Sequence, residues 1–134
     1  MTAPLLLHVE DDDAHATLTR LALEATTPTC EIVRCRDGVD ALGWLHDVER
    51  LPDLVLLDLN LPRIDGLGVL ETMKGDGRMR LVPVVVMTTS TNPQDREQAL
   101  ARYANNVMTK PLDLDEFNAS IELLCAYWFR VEAA

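Results

Sequence analysis

Four short stretches of this 134-residue chain carry side chains whose types and spacing could do chemistry together. Glu10, Asp11, Asp12 and Asp13 follow the apolar run Leu5-Leu6-Leu7-His8-Val9. Asp58 follows Leu54-Val55-Leu56-Leu57. Thr88, Thr89 and Ser90 follow Val84-Val85-Val86-Met87. Lys110 and Pro111 follow Asn106-Val107-Met108-Thr109. Carboxylates gathered in one place repel each other, and a hard divalent cation relieves the repulsion. Magnesium prefers oxygen ligands, keeps several waters and often bridges one or two carboxylates to a phosphate. The acids therefore read as a magnesium site with room for a phosphoryl oxygen. Lys110 would offset their charge and could hold a phosphoryl oxygen, and Thr88 would donate a hydroxyl. Each member also has a bland reading. An acid run is often a solvated loop or a helix cap, a lone lysine is usually solvated, and threonine is common in strands. Asp58 decides against the bland set, because it ends what reads as a central strand. The Lys110–Pro111 bond is open to the cis form.

These groups can meet only if the elements before them lie side by side. The three strongest apolar runs do not alternate, so they read as strands buried on both faces, as in a parallel sheet. Glu31-Ile32-Val33-Arg34-Cys35 and Asn106-Val107-Met108-Thr109 are weaker strand candidates. Between them lie segments of helical period. Leu18, Leu21, Ala22 and Ala25 share one predicted face, as do Val39, Leu42 and Leu45 with Trp44 beside them. Phe117, Ile121, Leu124, Cys125 and Trp128 form a third stripe. Thr27-Pro28, Asp37-Gly38, Asp65-Gly66, Gly75-Asp76-Gly77 and Asn92-Pro93 punctuate the connections. Strand–helix alternation predicts an α/β sandwich around a parallel sheet, with a ligand site beyond the carboxyl ends of the strands.

The length suits a single domain over residues 1–134. A net charge of −10 argues against nucleic acid, whose binders need a basic patch, and against an anionic membrane surface. No apolar run is long enough to span a bilayer, and Met1-Thr2-Ala3-Pro4 has no signal-peptide character. The cysteines Cys30, Cys35 and Cys125 match no zinc spacing and read as free thiols in a reducing cytoplasm.

The ordered set of motifs resembles the response-regulator receiver family. It comprises Leu7-His8-Val9-Glu10-Asp11-Asp12, Leu56-Leu57-Asp58-Leu59-Asn60-Leu61-Pro62, Asp65-Gly66, Val84-Val85-Val86-Met87-Thr88-Thr89 and Thr109-Lys110-Pro111. The resemblance implies a flavodoxin-like three-layer sandwich with a five-stranded parallel sheet of order 2-1-3-4-5 and helices on both faces. It implies that Asp58 accepts a phosphoryl group from a sensor histidine kinase. It implies that Glu10, Asp11, Asp58 and the backbone carbonyl of Asn60 hold Mg2+, and that Thr88 and Lys110 bind the phosphoryl oxygens. Such a protein is a phosphoacceptor rather than an enzyme, and it switches the face formed by its fourth helix, fifth strand and fifth helix. Asp12 lies outside the matched acid pair. Receivers commonly carry an aromatic residue three positions before the lysine, where this chain has Val107.

A narrower resemblance, to stand-alone regulators paired with phytochrome-type kinases, rests on Leu81 to Thr91 and on Ala126-Tyr127-Trp128-Phe129-Arg130-Val131. It implies a bacteriophytochrome as a candidate kinase. Residues after about 126 read as an aromatic extension of the last helix. Neighbours on a helix point in different directions, so Tyr127, Trp128 and Phe129 cannot all enter one core. They are candidate contacts for a homodimer. Two other classes remain as alternatives: a hydrolase with an aspartyl-phosphate intermediate, and a flavodoxin-like electron carrier. Asp58-Leu59-Asn60 lacks the second acid of the first, and the acidic loop after the first strand does not suit the phosphate of the second. His8 reads as a core histidine, His15 as a residue near the site mouth, and Arg78 and Arg80 as a solvated basic spot.

Overall fold

The computed structural model describes residues 3–129. Its elements run β1 (Leu5–Val9), α1 (Asp13–Thr26), β2 (Glu31–Cys35), α2 (Gly38–Asp47), β3 (Leu54–Leu57), α3 (Gly66–Gly75), β4 (Val84–Thr88), α4 (Pro93–Ala101), β5 (Asn106–Thr109) and α5 (Leu114–Trp128). The strands form one parallel sheet of order β2-β1-β3-β4-β5, so the predicted architecture and order both stand. Arg130 and Val131, counted above with the aromatic tail, lie outside the described residues.

Successive strand residues face opposite sides of a sheet, and each side has its own core. Leu7, Val9, Val55, Leu57, Val84, Val86 and Val107 pack with Ala41, Leu45, Val69, Leu70, Met73 and Ala99, which come mostly from α2, α3 and α4. Leu6, Leu56, Val85 and Met87 pack with Ala22 and Leu23 of α1 and with Phe117, Ile121, Leu124 and Cys125 of α5. All five helices begin on an acid or amide whose side chain accepts from first-turn N–H groups: Asp12, Asp37, Asp65, Asn92 and Asp113. Each such cap stabilises its helix by about 1 kcal/mol. Many of the chain's acids are therefore structural.

Four details differ from the sequence reading or complete it. The buried face of α1 is Ala16, Thr19, Ala22 and Leu23, while Leu18 and Leu21 are exposed. Small residues let α1 approach the sheet closely, and that rotates the leucines toward solvent beside α5. Val39 likewise turns outward, because Gly38, Ala41 and Leu45 make the inner face of α2. Arg78 is not a free surface charge. Its guanidinium donates to the carbonyls of Leu45, Val48 and Glu49 and so caps the end of α2. No peptide bond among the described residues is cis, so Lys110–Pro111 is trans.

His8 is buried on the α1–α5 side of β1. Burial, then the nearby charges of His15, Lys110 and Arg34, push its pKa from 6.5 down to about 3. A folded pKa below the unfolded one gives stability that is complete above pH 6.5 and is lost as pH falls toward 3. Going from neutral pH to about pH 5 should cost on the order of 2 kcal/mol through this residue alone. Urea unfolding at both pH values should show that loss in the wild type and a smaller one in His8→Leu. Equal losses would remove His8 as the acid-sensitive group.

Candidate functional site

The parallel ladder places the site residues one step beyond their strands. The backbone N–H of Glu10 donates to the carbonyl of Cys35 at 3.0 Å, that of Asp58 to Val9 at 3.1 Å, and that of Lys110 to Thr88 at 2.7 Å. Each residue thus adds a rung to the sheet, and its side chain emerges at the carboxyl end with its neighbours. The Lys110 ammonium donates to Glu10 Oε1 at 2.6 Å and to Asp58 Oδ2 at 3.0 Å. All three side chains are at most 9% exposed. Asp11 is exposed at the rim, and one oxygen from each of Glu10, Asp11 and Asp58 lies within 4.8 Å of the others.

Burying like charges is costly unless they are paired. Burial raises the pKa of Glu10, and so does the adjoining Asp58 carboxyl, bringing it to about 7. For Asp58, burial alone would act upward. It is outweighed by hydrogen bonds from Glu10 and the Asn60 N–H and by the Lys110 charge, so the pKa lies below the ordinary value. The two carboxyls titrate as a coupled pair, and a divalent cation beside them would favour the ionised form of all three acids. An oxygen-only set of this kind suits a hard metal ion, so Glu10, Asp11 and Asp58 fit the group that the sequence implies.

The neighbouring backbone fixes these positions. Asn60 N–H donates to Asp58 Oδ1 at 3.1 Å. Gly66 packs against the carbonyl oxygen of Asp58 and the Cα of Leu59, so closely that a Cβ would sit 2.3 and 2.6 Å away. Arg34 on β2 was not singled out in the sequence. Its Nε and Nη2 donate to the Glu10 carbonyl at 3.1 and 2.9 Å, and its Nη1 to Asp13 at 2.7 Å. The available signal was an arginine in the middle of a strand, close in the fold to an acidic loop. Asp12 caps α1. Thr88 is buried at the end of β4, where its hydroxyl oxygen accepts from Ser90 N–H at 3.1 Å. Val107 fills the core beside α4 and its carbonyl accepts from Arg96 at 2.8 Å.

Glu10, Asp11, Asp58 and Lys110 are thus brought together, with Asn60 and Thr88 on the adjoining loop and strand end. Tyr127, Trp128 and Phe129 lie elsewhere, at the end of α5. Phe129 is only 5% exposed and packs in the core, which corrects its reading as a partner contact. Trp128 is half-buried, and Tyr127 is exposed and meets it edge to face.

Residues 6–122 match the response regulator receiver domain. The chain is 41% identical over 128 residues to the probable methanogenesis regulatory protein FilR2 of Methanothrix harundinacea, with 92% of this chain and 83% of that protein covered. It is similar to the phosphorylated cyanobacterial phytochrome response regulator RcpA, at 33% identity and a TM-score of 0.90, covering 98% and 96% of the two chains. It is also similar to response regulator Rcp1 of Synechocystis sp., at 33% identity over 92% of this chain and 88% of that protein. The Mn(2+)-bound form of Rcp1 superposes with a TM-score of 0.86 at 32% identity, covering 98% and 96% of the chains.

Gly66→Ala should destabilise the chain, because the contacts it would violate are backbone and cannot swing away. Overpacking of this type costs about 1–3 kcal/mol, and relief would displace Asp58. Urea unfolding should show the loss. Wild-type stability in the variant would show that the loop after β3 yields easily.

Proposed function

The chain belongs to the response-regulator receiver family of two-component signalling, and from that premise we propose that it is a phosphorylation switch whose acceptor is Asp58. The observation that carries this reading is the buried Glu10–Lys110–Asp58 cluster with Asp11 at its rim. Members of the family are phosphoacceptors rather than conventional enzymes.

In this reading the Asp58 carboxylate attacks the phosphorus of a phosphohistidine on a sensor kinase. The P–N bond breaks, and the released imidazole takes up a proton. Glu10, Asp11, Asp58 and the Asn60 carbonyl would hold magnesium. Once bound, it would supply positive charge to the transferring oxygens. Lys110 reaches both buried acids and is placed to hold a phosphoryl oxygen. Thr88, whose hydroxyl oxygen accepts from Ser90 N–H, would donate its hydroxyl to another phosphoryl oxygen. The added charge and acceptor oxygens then shift the balance between two states of the α4–β5–α5 face. Val107 cannot provide the ring movement that an aromatic residue would.

The likeness to RcpA supports a phytochrome-type kinase, a bacteriophytochrome, as the phosphoryl donor. We place the protein in the cytoplasm, as one receiver unit. No described helix is long and apolar enough to cross a membrane, and the net charge of −10 disfavours nucleic acid. Leu123, Tyr127 and Met108 of α5 and β5, with Trp128, line an apolar groove on the switching face. It suits a second copy of the chain.

Incubation with acetyl phosphate and magnesium should add one labile phosphoryl group in intact-mass analysis, absent from Asp58→Asn and sharply reduced in Asp11→Ala. No adduct on the wild type would sink the reading. Light scattering after size exclusion should find a dimer for the wild type and a monomer for Tyr127→Glu. A wild-type monomer both with and without phosphorylation would remove the dimer.

A further inference from the structure

His15 is the group near the site that the proposed chemistry leaves unused. It lies in the first turn of α1, behind the acid run, with its ring against Phe117 of α5 at a centroid distance of 5.2 Å. Its Nε2 is buried and has no hydrogen-bond partner among the described residues. A buried, unpaired polar atom costs about 1–3 kcal/mol, and native structures keep few of them without a reason. Glu10 Oε1 lies 3.8 Å away. That distance is too long for a hydrogen bond and short enough for a small side-chain shift to make one. The same oxygen is now taken by Lys110 at 2.6 Å.

A divalent cation held by Glu10, Asp11 and Asp58 would compete with the Lys110 ammonium for the charge of Glu10 and Asp58, which Lys110 now contacts. Whatever Lys110 gives up at Glu10 needs another donor, because a buried carboxylate without one is expensive. We propose that His15 is a positioning residue of the metal site, its Nε2–H taking hold of the Glu10 carboxylate, directly or through one water, when Lys110 yields it. This inference rests on the metal-binding reading above.

The surroundings suit the role. The ring packs against Phe117 with its Nε2 on the Glu10 side. An imidazole in its neutral form brings an N–H donor without adding charge beside the cation. Partners behind a metal's direct ligands commonly alter affinity by about 10–100-fold when removed.

The test is direct Mn2+ binding, read from the electron paramagnetic resonance signal of the free ion. The proteins are wild type, His15→Leu and His15→Gln, with folding checked by thermal melts in chelator. Leucine keeps the apolar contact with Phe117 and removes the donor. Glutamine places an N–H close to the Nε2 position. Mn2+ affinity should fall about tenfold in His15→Leu and return to within about threefold of wild type in His15→Gln. Equal affinity in wild type and His15→Leu would overturn the inference and leave the metal site intact. So would a glutamine variant as weak as the leucine one, since the ring's shape would then be what matters. Failure of the wild type to bind Mn2+ would instead overturn the reading on which this one rests.

Discussion

The structure turns on one electrostatic constraint: two carboxylates are buried side by side and a single ammonium holds them. Glu10 and Asp58 both share Lys110, at 2.6 and 3.0 Å. In a low-dielectric setting neither acid would remain ionised without a cation. The three residues are separated by 48 and 52 positions in sequence, and only the order of the sheet joins them. β1 and β3 are neighbours, and β5 lies two strands from β3, with β4 between them. Lys110 spans the gap over the end of β4. Had the strands followed sequence order, Asp58 would have been separated from Glu10 by β2. The crossover that places β3 beside β1 is thus a requirement of the chemistry.

The three inner strands were legible because burial on both faces leaves short, unbroken apolar runs, while the half-exposed edge strands β2 and β5 gave the weaker signal, and all five occur where expected. Helix faces were less legible. In α1, Leu18 and Leu21 look like core by hydropathy, yet Ala16, Thr19 and Ala22 lie inside. Hydropathy rewards large residues, whereas close packing on a sheet rewards small ones. α4 carried almost no periodic signal, since Gln94, Asp95, Arg96, Glu97 and Gln98 are polar and Ala99 is its one buried residue. Its existence is announced by the cap Asn92 and by Pro93 at its first position.

The candidate site divides in a similar way. Residues that end strands could be placed from the chain alone, because the end of a parallel strand has a known address in the fold. Residues that act from the side could not. Arg34 reaches the Glu10 carbonyl across the β1–β2 pair, which only three-dimensional register reveals. Acids near the site also had two indistinguishable uses. Asp12 caps α1 while its neighbour Asp11 faces the cluster, and nothing in their side-chain chemistry separates them. What separates them is their place before α1, where Asp12 is the cap and Asp11 the residue before it. Among the aromatics, Tyr127 on the last turn of α5 is exposed, whereas Phe129, two positions on at its cap, is buried.

The exchange of an aromatic for Val107 bears on how the site could speak to the rest of the molecule. A valine fixed in the core cannot rotate a ring outward, so any coupling has to run through bonds that bridge the elements themselves. A closed circuit of such bonds is present. Lys110 N–H donates to the Thr88 carbonyl, and Ser90 N–H donates to the Thr88 hydroxyl. Ser90 donates to Asp95 of α4, and Arg96 of α4 returns to the Val107 carbonyl on β5, three residues from Lys110. Under the proposed function, movement of the Thr88 hydroxyl toward a phosphoryl oxygen would disturb the bond that it accepts from Ser90 N–H. Ser90 and Asp95 must then find a new arrangement, and Asp95 lies in the first turn of α4. A helix with one buried residue resists such a shift weakly, since little apolar contact is lost when it moves. The polar character of α4, which made it nearly invisible in the sequence, is therefore what would let a one-hydroxyl change at β4 reach the α4–β5–α5 face without an aromatic switch.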